Sequence, residues 1–192
     1  MALPVEVRPV TADRLDDVAD LFASNATTRG CWCMFFIATP AEFRAGLRGA
    51  NRAQFEELTA ASDVPVGVLA YRDETPVGWC AAGPRARYQR AIGPRATILA
   101  GRDRTADRDV WLVPCFFTRV GSRRHGVTGA LLNAAVDVAR NSGAVAVEGF
   151  PRAAGQRPSP DDYLGREDVF ASCGFACVAR PTPRRAVMRR DL

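Results

Sequence analysis

The sequence predicts an α/β (α+β) fold in which a mixed, mostly antiparallel sheet carries helices on both faces. Three observations predict it. Residues 109–118 form a strongly apolar strand, 126–142 an apolar-faced helix and 144–149 a second buried strand. That order is one βαβ unit, so its two strands should be parallel. Residues 65–71 with 76–82, and 175–180 with 186–190, are apolar runs joined by short turns, and read as antiparallel hairpins. Helical patterns both precede and follow the first hairpin, enough to cover both faces of the sheet.

The elements follow in order. Residues 5–10 alternate apolar and polar, as a strand does. Thr11 is placed to cap a helix in which Leu15, Val18, Ala19 and Phe22 recur at helical spacing. Residues 25–30 interrupt that pattern. Residues 31–37 (Cys-Trp-Cys-Met-Phe-Phe-Ile) are apolar all round and expected to be buried. Two helical stretches come next, 40–48 and 52–61, the second with Phe55 and Leu58 on one side. Residues 72–75 are the polar turn of the first hairpin. Residues 83–109, with two Gly-Pro steps and many arginines, read as a surface excursion. Pro114 removes a ladder donor from the apolar strand and predicts a bulge or irregularity there. The long helix should turn Val127, Ala130, Leu131, Ala134 and Val138 inward. Residues 151–161 are a Pro- and Gly-rich loop, and 166–172 a short helix that closes at Gly174.

A chain of 192 residues is enough for one domain and short for two. It can bury roughly 70% of its unfolded surface, so neither a disulfide nor a metal is needed to hold it together. The net charge is +5, and all 26 basic side chains are arginine. A lysine nucleophile or Schiff base is therefore excluded. The first ten residues lack a charged start and a long apolar run, so no signal peptide is read. No apolar stretch of about 18 residues predicts a membrane span. The six cysteines are then expected as reduced thiols, and the location as cytoplasmic.

Chemistry concentrates at Arg123-Arg124-His125-Gly126-Val127-Thr128-Gly129. A helix N-terminus offers unpaired N–H groups and the positive end of the helix dipole. Glycines let backbone wrap an anion, and arginines add forked donors. A strand leading through such a turn into a helix is a phosphate cradle. The dinucleotide fingerprint and the P-loop are both absent, the latter for want of a lysine.

Arg123-Arg124-His125-Gly126-Val127-Thr128 resembles the Q/R-x-x-G-x-G/A acyl-CoA signature of the GNAT N-acetyltransferase family. The flanking strand and helix, the strand 144–148 and Phe170-Ala171-Ser172-Cys173-Gly174-Phe175 are similar to that family's later motifs in order and spacing. Pro76-Val77-Gly78-Trp79-Cys80 is similar to its preceding strand. The resemblance covers about 64–190 and implies a GNAT-like sheet with a splayed parallel strand pair. Residues 1–63 then take the variable acceptor-side position within one acyltransferase domain, and 64–190 form the acetyl-CoA-binding core. Acetyl-CoA would lie in the splay. Its pantetheine arm would pair with backbone at Phe116, Phe117 and Thr118, and its pyrophosphate would sit on N–H groups from Arg123, Arg124, His125, Gly126, Val127, Thr128 and Gly129. Thr128 departs from the signature, narrowing the turn while adding a hydroxyl donor.

The resemblance also implies that two usual proton handlers are replaced. Leu112 stands near the position of a glutamate base, and Phe170 at that of a tyrosine acid. Glu148, ending a buried strand, is the substitute base, or else a carboxylate paired with an arginine. Tyr163 is the substitute acid, or else a surface tyrosine. Cys115 is a nucleophile or an inert packing thiol. His125, the only histidine, sits in the phosphate turn and is expected to contact coenzyme or solvent. The Cys31/Cys33 pair has no second pair at zinc spacing, so no metal is expected, and this aromatic segment would wall the acceptor pocket.

The expected activity is transfer of an acetyl group from acetyl-CoA to an amine, by direct attack in a ternary complex. The alternatives are a non-catalytic acyl-CoA-binding module and a basic nucleic-acid-binding domain, the last resting on pI and on Arg184, Arg185, Arg189 and Arg190. A guarded strand edge explains those arginines equally well. No membrane partner is expected, and a homodimer is left open.

Overall fold

A computed structural model describes residues 5–157 and 163–192. Strand β1 (Glu6–Pro9) leads into four helices, α1 (Leu15–Ala23), α2 (Ala26–Cys31), α3 (Pro40–Gly46) and α4 (Ala50–Ala61). The hairpin β2 (Gly67–Arg72) and β3 (Thr75–Pro84) follows, then the short α5 (Gln89–Ile92). Next come β4 (Val110–Thr118), α6 (Val127–Asn141) and β5 (Ala146–Gly149). The chain closes with α7 (Glu167–Ser172), β6 (Ala176–Thr182) and β7 (Arg185–Asp191).

The strands form a seven-stranded sheet in the order β1-β2-β3-β4-β5-β7-β6. The β4–β5 pair is parallel, as the crossover through α6 requires, and the other neighbours are antiparallel. Alternation along β2 and β3 builds two cores. Val68, Ala70 and Cys80 pack with Leu131, Leu132 and Ala135 of α6 on one face. Leu69, Tyr71 and Trp79 pack with Leu21, Phe22 and Phe55 on the other. Both strands are buried on both faces, so their sequences are apolar almost throughout.

Two features of β4 set up the site. Ala81 faces Cys115 while Gly83 faces Leu112, three steps on β4 against two on β3. The extra residue falls at Val113–Pro114, where the proline lacks an N–H to give to the ladder. Parallel pairing with β5 covers only Val110, Trp111 and Leu112, yet β4 runs on to Thr118. Past Leu112 the two strands part and the sheet opens.

Several expectations change. Residues 26–31 are helical, because Asn25 Oδ1 accepts from the Thr27 N–H at 2.8 Å and caps a new turn. Thr11 makes no capping bond, since its hydroxyl donates to Asp13. The segment 31–37 is not uniformly buried. Trp32 and Cys33 take left-handed backbone, with φ of 46° and 52°. The chain turns there, leaving Trp32 and Met34 inside and Phe35 40% exposed. Residues 83–109 are more than a surface excursion, for they bury Arg85, Tyr88 and Leu99. On α6 the fully buried set is Val127, Leu131, Leu132, Ala135, Val136 and Ala139, while Ala130, Ala134 and Val138 are half-buried. The sheet takes one side of this helix and α7 approaches another, with Cys173 Sγ donating to the Gly129 carbonyl at 3.7 Å. Residues 158–162, which take in the end of the predicted 151–161 loop, lie outside the described residues, as do residues 1–4.

Candidate functional site

The first intrahelical bond of α6 runs from the Ala130 N–H to the Gly126 carbonyl at 3.1 Å. The N–H groups of Val127, Thr128 and Gly129 therefore have no acceptor within the helix. Gly126 caps this end in the left-handed region, with φ of 78°. An added Cβ there would meet nothing within 4 Å, so the glycine answers to backbone conformation and not to crowding. Arg124 shares the left-handed conformation at φ 62°. Arg123 reaches back to β4, its Nε donating to the Thr118 carbonyl at 3.2 Å. Turn and strand end are thus tied together.

A cavity of about 600 Å³ opens over this corner. Phe116, Phe117 and Thr118 line it from β4. Arg123, Arg124, Gly126, Val127, Thr128 and Gly129 line it from the turn and the first turn of α6. His125 stands apart from this lining, its Nδ1–H donating to the Arg123 carbonyl at 2.7 Å. Thr27, Gly165, Arg166 and Val169 complete the walls, and sequence reasoning missed all four. They come from segments distant in the chain, with no local signature. The wall is rich in donors and carries three guanidinium groups, a chemistry suited to a phosphorylated ligand.

A second cavity, about 530 Å³, lies beside the first. Tyr163 and Thr27 line both. Its walls are Cys31, Cys33, Phe35 and Phe36 from the predicted aromatic segment, with Phe43, Leu47, Cys115 and Leu164. The Phe35 ring meets those of Phe36 and Phe43 edge-on at 4.9 and 5.4 Å. Trp79 Nε1–H donates to Cys33 Sγ at 2.9 Å, and Cys33 Sγ–H to Cys115 Sγ at 3.5 Å. Donation to Cys115, then burial, raise the Cys33 thiol well above its usual range. Burial pushes Cys31 up to about 12. Both therefore stay protonated at neutral pH and act as small apolar groups.

Glu148 is 5% exposed and lines neither cavity. Arg85 Nη1 donates to its Oε2 at 2.7 Å, and Arg189 Nη1 to its Oε1 at 2.9 Å. Arg85 also holds Asp107, which Arg102 grips from the other side. Both Glu148 oxygens are occupied by guanidinium, the paired arrangement that the sequence left open. Leu112 is fully buried. Phe170 is equally buried, edge-on to Phe116 at 5.9 Å and to Phe175 at 5.0 Å. Gly149 admits that ring: a Cβ added there would collide with it. Of the C-terminal arginines, Arg189 also pairs with Asp191, and Arg190 donates to the Cys173 carbonyl at 2.8 Å. Among the described residues no group of three His, Cys, Asp or Glu is placed to hold a metal. No described helix is long and apolar enough to cross a membrane.

No protein-family model and no curated protein sequence matches the chain. Solved structures do. The chain is similar to AAC(6')-Ib in complex with ribostamycin and coenzyme A, at 15% identity and a TM-score of 0.59, over 97% of this chain and 93% of that one. It is similar to the GNAT domain of S. lividans PAT, at 19% identity and a TM-score of 0.57, over 98% and 90%. It is also similar to PaiA N-acetyltransferase from Thermoplasma acidophilum in complex with coenzyme A, at 10% identity and a TM-score of 0.55, over 99% and 100%.

Proposed function

From the GNAT fold that this chain has, we propose that it is an N-acetyltransferase moving an acetyl group from acetyl-CoA to an amine by direct attack in a ternary complex. The observation that carries the reading is the meeting of two unlike cavities at Tyr163. The first cavity carries three guanidinium groups and abuts free helix N–H groups. The second is walled by rings and thiols. Residues 64–190 contribute most of the coenzyme side, and 26–47 most of the acceptor side.

In this reading the pyrophosphate rests on the N–H groups of Val127, Thr128 and Gly129, with Arg123 and Arg124 as counter-charges. His125 shapes the turn through its bond to Arg123. The β4 backbone from Phe116 to Thr118, freed of β5, pairs with the pantetheine arm. The acceptor nitrogen reaches the thioester carbonyl from the second cavity. The departing sulfur needs a proton, and the Tyr163 hydroxyl stands at the junction to give it. Glu148 braces the sheet and handles no proton.

The test is calorimetric titration with acetyl-CoA, followed by release of free thiol across a panel of amines. Absence of coenzyme binding overturns the reading. The occupied Glu148 carboxylate favours one rival, a module that binds acyl-CoA without turnover. Tight binding with no thiol released by any amine would select that rival.

A further inference from the structure

We infer that the acceptor is a ring-bearing amine whose nitrogen is unprotonated at neutral pH, an arylamine in chemical class; this rests on the acetyl-transfer reading above. Three observations carry it. Aromatic, aliphatic and thiol groups make up most of the acceptor-side cavity wall, with Thr27, Thr28 and Tyr163 as its hydroxyl-bearing residues, and among the described residues lining it there is no carboxylate and no imidazole. An ammonium ion entering there would lose its hydration shell without gaining a counter-ion from the described lining. A fixed positive charge also stands against the wall. The Arg90 guanidinium lies 3.9 Å from the centre of the Phe35 ring and 5.9 Å from that of Phe43. Arg44 is close enough to act on Arg90 as a like charge. The cavity volume, about 530 Å³, fits a one- or two-ring molecule. The edge-on pairs at Phe35 are the geometry in which a further ring docks well.

The proton balance agrees. The nitrogen lone pair of a neutral amine forms the C–N bond, and the C–S bond breaks with its electron pair on sulfur. The N–H proton then passes to that sulfur by way of the Tyr163 hydroxyl. No base is needed to neutralise the nucleophile beforehand. An alkylammonium would need one, and Glu148, its two oxygens held by Arg85 and Arg189, lines neither cavity. An amino group bonded directly to an aromatic ring meets the requirement, because its lone pair is delocalised and stays unprotonated at neutral pH.

The experiment uses the full chain with acetyl-CoA and three acceptors: aniline, benzylamine, which inserts one methylene and is protonated at neutral pH, and the polyamine spermidine. Thiol release is followed at neutral pH, and acetyl-CoA binding is measured on the same sample. The expected result is a kcat/KM for aniline at least about tenfold above benzylamine, with spermidine inert. Preference for benzylamine or spermidine, or coenzyme binding without transfer to aniline, overturns the inference and leaves the coenzyme site standing. Loss of coenzyme binding instead overturns the acetyl-transfer reading beneath it. Leu47, which lines the cavity and is 46% exposed, accepts a charge without unfolding. Leu47→Glu should raise kcat/KM for benzylamine about tenfold at unchanged acetyl-CoA affinity. No gain in that variant counts against an electrostatic basis for acceptor choice.

Discussion

Arg85 Nη1 lies 2.7 Å from Glu148 Oε2, and the arginine side chain is 1% exposed. This pair joins the 83–109 segment to β5, and Arg189 extends it to β7. Removing one partner of a buried pair strands the other charge. Glu148→Gln is expected to destabilise the fold by about 3–5 kcal/mol. Urea unfolding measures this. Turnover per folded molecule should stay near wild type, because both carboxylate oxygens are held by guanidinium groups and line neither cavity. A large fall in kcat with unchanged stability would restore it as a base.

Thr128 occupies the second position of α6 and is half-exposed. Thr128→Glu places a negative charge where the pyrophosphate would sit. The same charge complements the helix dipole, so the melting temperature should hold or rise slightly. Acetyl-CoA affinity is expected to fall about a hundredfold, or ~2.8 kcal/mol, by calorimetry. Survival of affinity would mean the phosphates bind elsewhere.

Tyr163 lines both cavities, where a leaving sulfur would meet a donor. Tyr163→Phe deletes the hydroxyl and keeps the ring. A drop in kcat of about a hundredfold, with coenzyme affinity unchanged, is expected of a general acid. Equal loss in kcat and in binding would assign the residue to packing instead.

Acid should unfold the protein through two carboxylates. Burial alone would raise Asp107, but hydrogen bonds from Arg102 and Arg85 outweigh it and hold it below the usual range. The Arg180 hydrogen bond, against the pull of burial, holds Glu167 low as well. Both folded values lie below the unfolded ones, so their contribution is complete above the unfolded range, about pH 4. It is lost as pH falls through the folded values. Urea midpoints from pH 7 to 3 should decline below about pH 4, and Asp107→Asn should flatten that decline.

The periodic elements were legible because each states its burial locally. The spacing of Leu15, Val18 and Phe22, the apolar run of β4 and the alternation in β2 each report which side faces a core. Pro114 announced its bulge through a missing donor. The donor-rich helix start was legible for a similar reason: its donors are consecutive backbone groups at one helix N-terminus. The buried arginine was not. Nothing near Arg85 in the chain distinguishes it from the exposed arginines around it, since its partners are 22 and 63 residues away. The second cavity was legible only in its Cys31–Phe36 part, because Phe43, Leu47, Cys115 and Leu164 meet it from separate elements.

Sequence by itself determined the strand–helix–strand frame, the turn that ends at Gly126 and the apolar character of Leu112 and Phe170. All are local facts of residue type and spacing. Tertiary structure decided that two arginines hold Glu148, that Tyr163 lines two cavities and that rings, aliphatic groups and thiols make up most of the second cavity's wall. A side chain's charge partner and the cavity it faces depend on segments brought together across the sheet, and chain order does not encode that neighbourhood locally.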